Sequence, residues 1–531
     1  MRKARKSIDN YETKYRFPGN VPIIFGKLFY IYIAFTILQM ILSKNDYNLA
    51  HLGKSNIVLF PFAVAIVVVA ILVIRRNETG ILSNLSNRKV YLVIILCYGI
   101  IYVIQLLISP HIAVKSGWDV RVIFGNAEAL AYGVRDGVDI YYFSTYPNNM
   151  LLVYTVALFL KVGLMIHGEG AYAVLLAILA AISCLSGLLT SLCVYKLTEN
   201  RPATFISIVI AGVMVCLSPW MTIPYSDTIG LLFPISGLFC LLYIKPYWVK
   251  YFSFTFACFL GYLYKPTVAI LFIAFMLMKI CTVVVKTRNR EANFRQWGTA
   301  IASVLVALLC VLAINESVQA LNSSPMEKEK QMGMSHYLMM GLNNESGGMY
   351  SASDVSFSES FETREERRVA NLQVATQRLK EMGFKGTIEL LLRKNISNYN
   401  DGTFGWGREG SFYYEILPDN SKTAEVLRSI FFTNEKGTYN WIYASILQIL
   451  WLSVLLGVSL CFVTTGKGDI YTILPLTLLG LSAFLLIFEC RARYVFLYLP
   501  VYILLACQGL TNISEKLVKI KFEKREAEKK P

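Results

Sequence analysis

Four groups of ionisable side chains stand at the edges of apolar runs in this 531-residue chain: Asp119, Asp227, Lys265, and a cluster of Glu489, Arg491 and Arg493 with Tyr494 beside it. Such a set can perform group transfer. A carboxylate takes the proton of an attacking hydroxyl. Cations stabilise negative charge developing on a leaving phosphate, arginines with bidentate geometry. Asp119 is the first candidate base, because it follows the exit of an apolar run and opens the polar stretch Ser116 to Asn149. Asp227 is the second, as an alternative base or as a group holding substrate hydroxyls; next to an apolar run beginning at Thr228, it also fits a helix N-cap. Lys265, Arg491 and Arg493 are candidates for phosphate, with Glu489 a partner for either arginine. Ionisable residues at a membrane boundary often serve only as anchors, so the reading requires all of them to share one face.

Further candidates for substrate contact are Tyr146, Asn148 and Asn149 in the run YPNN, Tyr494, His336 in HYLMMGLN, and Trp406. Tyr141, Tyr142, Phe143 and Tyr146 suit either an interfacial aromatic belt or stacking on a sugar face; Trp406 lies far from any apolar run. The histidines at 51, 111, 167 and 336 are scattered, so no histidine-based metal site is indicated. A divalent cation is compatible with Asp119, Asp227 and other outer acids, and nothing in the sequence requires one. Eleven cysteines, nearly all in apolar runs and without a CxxC pair, support neither a zinc site nor a disulfide framework.

The elements that must position these residues are membrane helices. The chain is 55% apolar and 16% charged, against about a quarter charged for a soluble protein. Apolar runs of about 18–25 residues, long enough to cross a bilayer, recur along it, and in lipid they satisfy their backbone only as helices. The fold class is therefore an all-α polytopic membrane protein. The first run, from near Val21, has no small-residue cleavage site behind it and reads as a retained span. The net charge of +16 resides in segments 1–20, 75–89, 196–201, 245–250, 286–296, 464–469 and 512–531, which hold 26 lysines and arginines against 10 acids. That is a positive-inside bias, not a nucleic-acid surface. It sets spans near 22–43, 56–74 and 90–109, with Asp119 outside. Lys196 and Arg201 put the turn between 171–195 and 203–220 inside, so segment 150–166 starts and ends outside as a juxtamembrane or re-entrant helix. Further spans near 228–244, 251–264, 268–285, 297–315, 440–463, 470–489 and 494–511 make twelve, with about 12–13 membrane helices in all and both termini in the cytoplasm. Residues 1–315 form an N-terminal transmembrane module with an outer loop at 110–149. Residues 316–439 form an outer domain, with a solvated helix over 361–395 and Gly- and Asn-rich binding loops on either side. Residues 440–531 form the C-terminal transmembrane module and a basic cytoplasmic tail.

An acid after an early span, then YPNN, then YSDT, then a C-terminal E-x-R-x-R-Y resembles the C-type membrane glycosyltransferases over residues 90–510. Protein O-mannosyltransferases and aminoarabinose transferases are relatives of that kind, and HYLMMGLN with GGMYSASD is similar to a Gram-positive branch. The resemblance implies a polyprenyl-phosphate sugar donor, an outer-face site, inversion at the anomeric carbon and a base in the first outer loop, which falls on Asp119. The chain departs from the pattern in lacking an adjacent Asp-Glu pair in that loop, and in having YPNN where a double proline is frequent; neither acceptor nor metal requirement carries over.

The expectation is a plasma-membrane enzyme moving a sugar from undecaprenyl phosphate to a cell-envelope glycan or teichoic-acid-like acceptor, with membrane lipid and no nucleic acid as partners. The alternatives are a transporter or flippase of lipid-linked sugars, and a polysaccharide polymerase or ligase. A transporter would carry ionisable groups deep in its spans, whereas here they gather at one face.

Overall fold

The computed structural model describes residues 21–43, 55–76, 85–134, 138–288, 294–322, 325–409, 412–433, 436–463 and 469–527. The basic N-terminal segment, most of segment 464–469, much of 286–296 and the end of the tail lie outside them.

Three long helices open the chain: α1 (Val21–Leu42), α2 (Asn56–Arg76) and α3 (Asn87–Ile112). They are apolar almost all round, and one face of each stays exposed: Leu92, Ile95, Leu96, Ile100, Val103 and Leu107 on α3 recur at helical spacing and cover nothing in the protein. Such a stripe belongs against lipid. Nine stretches among the described residues are long and apolar enough to cross a membrane. Three further expected spans, Arg201–Cys216, Tyr247–Tyr264 and the apolar start of Leu499–Ala527, are shorter or less apolar and pack among the nine.

After α3 the chain makes a short strand, β1 (Val114–Ser116), then helix α4 (Trp118–Ala131), the short α5 (Ile140–Thr145), α6 (Met150–His167) and α7 (Ala171–Thr198). Segment 150–166 is the helix α6. Its first turns meet Tyr264 and Asn322, through Thr155 Oγ1 at 2.7 Å and Tyr154 Oη at 2.8 Å. Beyond its far end, Tyr172 donates to the Val114 carbonyl at 3.2 Å and packs edge-on to Phe124. Both ends of α6 therefore lie near α4, against which it packs. Gly163 lets α7 approach: a Cβ there would stand 2.6 Å from the Ala171 carbonyl.

Next comes α8 (Arg201–Ala211), which runs into a π turn at Gly212–Cys216. A π turn frees a backbone carbonyl, and in a lipid-facing bundle an unpaired one is costly. Gln105 of α3 fills the need. Its Nε2 donates to the Cys216 carbonyl and to Ser183 Oγ at 2.8 Å, while its Oε1 accepts from Cys184 Sγ at 2.8 Å.

The middle of the chain is α9 (Ser226–Gly230), α10 (Leu232–Tyr243), α11 (Tyr247–Tyr264), α12 (Ala269–Arg288) and α13 (Phe294–Gln319). The outer domain follows with α14 (Met334–Gly341), α15 (Ala352–Glu359), the 36-residue α16 (Arg364–Tyr399), the one-turn α17 (Trp406–Glu409), β2 (Tyr413–Ile416) and α18 (Lys422–Phe431). Helix α16 starts on a capping box between Thr363 and Glu366 and kinks at Gly383, where φ is +59°. Its first half is largely solvated, as its charge spacing predicts. Its last turns are not: they wedge between the outer ends of the spans, with Asn395 bonded to Tyr32, Thr36 and Gln39 of α1. The chain ends with α19 (Asn440–Leu460), α20 (Ile470–Ile487), α21 (Ala492–Phe496) and α22 (Leu499–Ala527).

Two devices tie the outer domain to the first outer loop. Strand β1 pairs antiparallel with β2, Val114 opposite Ile416, and the Gly117 N–H continues the pairing to the Phe412 carbonyl at 2.6 Å. Beside it, His111 meets Asp419 at 2.5 Å, and Arg428 donates to the carbonyls of His111, Leu417 and Asp419 at 2.9 Å each.

Candidate active site

Asp119 occupies the first turn of α4, directly after the β1–β2 ribbon. Its Oδ2 accepts a hydrogen bond from Tyr225 Oη at 3.1 Å. A second tyrosine, Tyr142, stands near the same carboxylate. Tyr142 is itself aimed: Asn149 Nδ2 donates to Tyr142 Oη at 2.8 Å, and Asn148 Nδ2 donates to Asn149 Oδ1 at 3.1 Å. The YPNN motif thus has a physical role: its asparagines, expected to touch substrate, fix a tyrosine beside the acid. Burial, then the charge of Asp119, raises the Tyr142 pKa, so the phenol stays protonated and remains a donor. Tyr146 stacks at a tilt on Tyr142, with centroids 5.2 Å apart.

Tyr225 closes the distance that topology left open. It donates to Asp119 and directly precedes α9, which carries Asp227, so it links the two acids. Asp227, however, is not available as a base. It is 1% exposed, with Lys265 Nζ at 2.8 Å from Oδ1 and Arg493 Nε at 3.2 Å from Oδ2. Nor is it an N-cap, since that position belongs to Tyr225. It is a buried counter-ion.

The ion pairs continue. Arg493 Nη1 is 3.3 Å from Glu409 Oε2, Arg491 Nη1 is 2.6 Å from Glu409 Oε1, and Arg491 Nε is 3.2 Å from Glu489. The result is a ladder, Lys265, Asp227, Arg493, Glu409, Arg491, Glu489, in which three cations alternate with three acids. Burial lowers the Lys265 pKa against the opposing pull of Asp227. Burial also works against the charge of Arg493, but Glu409 and Asp227 outweigh it and hold the guanidinium protonated. Aromatic rings line the ladder: Lys265 Nζ sits 4.3 Å from the Tyr494 centroid, and the Arg493 guanidinium 4.1 Å from Trp118 and 5.1 Å from Tyr225. Arg491, with 24% of its side chain accessible, is the ladder's most open rung.

Two predicted contacts belong elsewhere. His336 is buried in the small core of the outer domain, where Nδ1 meets Ser358 Oγ at 2.7 Å and burial lowers its pKa to about 4. Trp406 is buried too, its indole donating to the Phe431 carbonyl at 2.6 Å and its ring edge-on to Trp220. Neither presents a face to a substrate. The turn before Trp406 is likewise interior. The Asp401 carboxylate gathers the N–H groups of Thr403 and Gly405, both at 2.8 Å, into a tight turn with Phe404 at φ +54° and Gly405 at φ +85°. That turn delivers Glu409 to the two arginines. Sequence reasoning missed Glu409, since no local pattern marks a glutamate whose partners lie more than eighty residues downstream.

The donor set does not fit a divalent cation. Asp227, Glu409 and Glu489 already face cations, and no group of three or more His, Cys, Asp or Glu side chains gathers among the described residues. Asp119 alone has neutral partners.

Residues 19–512 match the family described as conserved hypothetical integral membrane protein, and the chain belongs to that family. No curated protein and no solved structure matches it.

Proposed function

We propose that this member of the conserved hypothetical integral membrane protein family is a glycosyltransferase of the outer membrane face, using a polyprenyl-phosphate sugar as donor and a cell-envelope glycan as acceptor. One observation carries the reading: a carboxylate that accepts from the Tyr225 hydroxyl, with Tyr142 nearby, stands across an aromatic wall from a ladder of three cations. The acceptor oxygen attacks the anomeric carbon and loses its proton to Asp119. The bond from that carbon to the phosphate oxygen breaks, and its electron pair stays on the phosphate. Negative charge thus grows on the phosphate, where Arg491, Arg493 and Lys265 are already oriented by their acids. Fixed charges that need no reorganisation are the most effective kind of stabilisation. Attack from the side of Asp119, opposite the leaving phosphate, inverts the anomeric centre.

The test is transfer from radiolabelled undecaprenyl-phosphate sugars to a cell-envelope fraction by purified protein in vesicles, wild type beside Asp119→Asn. Label moving with wild type alone is the expected result. No transfer by wild type, with labelled lipid changing leaflets instead, would replace the enzyme with a flippase.

A further inference from the structure

Trp118, between Gly117 and Asp119, has three unusual properties. Its backbone sits at φ +47°, a region bulky L residues rarely adopt. Its ring is fixed beside the ladder, 4.1 Å from the Arg493 guanidinium and edge-on to Tyr225 with centroids 4.8 Å apart. Its indole N–H is buried and has no acceptor among the described residues. An indole nitrogen is a donor only, and buried donors are nearly always paired. The other buried tryptophans obey this rule: Trp220, Trp406 and Trp451 donate to the carbonyls of Phe404, Phe431 and Tyr399. Among the buried indole N–H groups of the described residues, the one beside the candidate base alone lacks an acceptor, and it is held on strained backbone. Strain of this kind collects where a group must be presented to a ligand.

We infer that the Trp118 indole N–H is a ligand-binding donor that takes a phosphoryl oxygen of the lipid-phosphate sugar, beside the Arg493 guanidinium that lies against the same ring. The inference rests on the proposed function and adds the residue that fixes the donor phosphate. A phosphoryl oxygen suits the place better than a sugar hydroxyl. The nearest charge to the ring is a cation, and a donor-only group beside a cation selects an acceptor-only, anionic oxygen.

The experiment compares wild type, Trp118→Phe and Asp119→Asn in lipid nanodiscs for binding of two probes: undecaprenyl phosphate, and the same lipid carrying its sugar. Phenylalanine keeps a ring against Arg493 and removes the N–H together with part of the indole. Trp118→Phe should weaken both lipids by the same factor, about tenfold or more, as loss of a hydrogen bond to a charged group does; Asp119→Asn should bind both. Wild-type affinity of Trp118→Phe for both lipids would overturn the inference. Weakening of the sugar-bearing lipid alone would also overturn it, by assigning the N–H to a sugar oxygen. Failure of wild type to bind either lipid would instead remove the donor reading itself. Should Trp118→Phe not survive extraction, benzothienylalanine at 118, which exchanges N–H for sulfur in the same outline, gives the same readout.

Discussion

Replacing Asp227 by asparagine separates a counter-ion from a base. Asp227 is 1% exposed and lies between Lys265 at 2.8 Å and Arg493 at 3.2 Å. Its amide isostere would leave two buried cations facing each other across a neutral group. Removing one partner of a buried charge set costs about 3–5 kcal/mol, a large part of the 5–15 kcal/mol that holds a typical domain together. Asp227→Asn should therefore lower the unfolding temperature of the detergent-solubilised protein markedly. The deficit has a sign in pH. Burial already lowers the Lys265 pKa, and only Asp227 and Glu489 raise it. Without Asp227 it falls further, so the folded variant releases that proton while the unfolded chain keeps it. Stability of the variant then rises with pH between the lowered folded value and the ordinary lysine value. Adding Lys265→Met, which removes one of the uncompensated cations, should recover part of the loss. Asp119→Asn is the control: its partners are hydroxyls, which donate to an amide oxygen as readily as to a carboxylate oxygen, and it should melt with wild type. If Asp227→Asn also melted with wild type at every pH, the ladder would not be a balanced charge set, and Asp227 would return as a candidate base.

Two further outcomes follow from the same geometry. Tyr142→Phe and Asn149→Ala, which remove the two ends of the Asn149–Tyr142 hydrogen bond beside Asp119, should each reduce transfer about tenfold at unchanged donor binding; wild-type transfer by both would refute the orienting role. His336 titrates in the unfolded chain at about 6.5 but in the outer domain at about 4. Between those values the unfolded state binds the extra proton, so stability present above pH 6.5 is lost as pH falls toward 4, by about 3 kcal/mol at 1.4 kcal/mol per unit. Hydrogen exchange of residues 334–382 against pH would show this, and His336→Gln should flatten it.

What was legible in the sequence was whatever depends on local composition. Apolar runs gave the helices, because a backbone in lipid is satisfied only when it is helical. Asp119, Lys265, Arg491 and Arg493 were found because a charge at the edge of an apolar run is conspicuous. Environment was not legible. Glycine and asparagine in NYNDGTFGWG announce a backbone that turns, and it does turn at Phe404 and Gly405, but nothing in their identity says that the turn is buried. Trp406 and His336 were misplaced for that reason, and Glu409 was invisible because its role depends on a contact across the fold. Asp227 was correctly placed and wrongly employed: a carboxylate reads as a base until its partners are seen.

Those partners also bear on whether the outer domain is a lid. Lys394 of α16 is fully buried and donates to the carbonyls of Gly341 and Phe488, each at 2.7 Å, one residue before Glu489. The Cys490 N–H is bonded to the Gly348 carbonyl at 3.0 Å. Asn400 meets Asn56 and Gln448 in a buried cluster between α2 and α19. Glu409, carried by the outer domain, is the middle rung between two arginines that precede the last membrane helix. A domain that swung away from the spans would open all of these buried bonds, at about 1–3 kcal/mol for each group left unpaired and more for the charged ones. Transport by a moving lid requires that swing, whereas catalysis requires the opposite: that the acids orienting Arg491 and Arg493 stay fixed while charge develops on the substrate. The domain is fastened at the rungs of the ladder, which supports the proposal that it is a wall of the candidate site and not a gate.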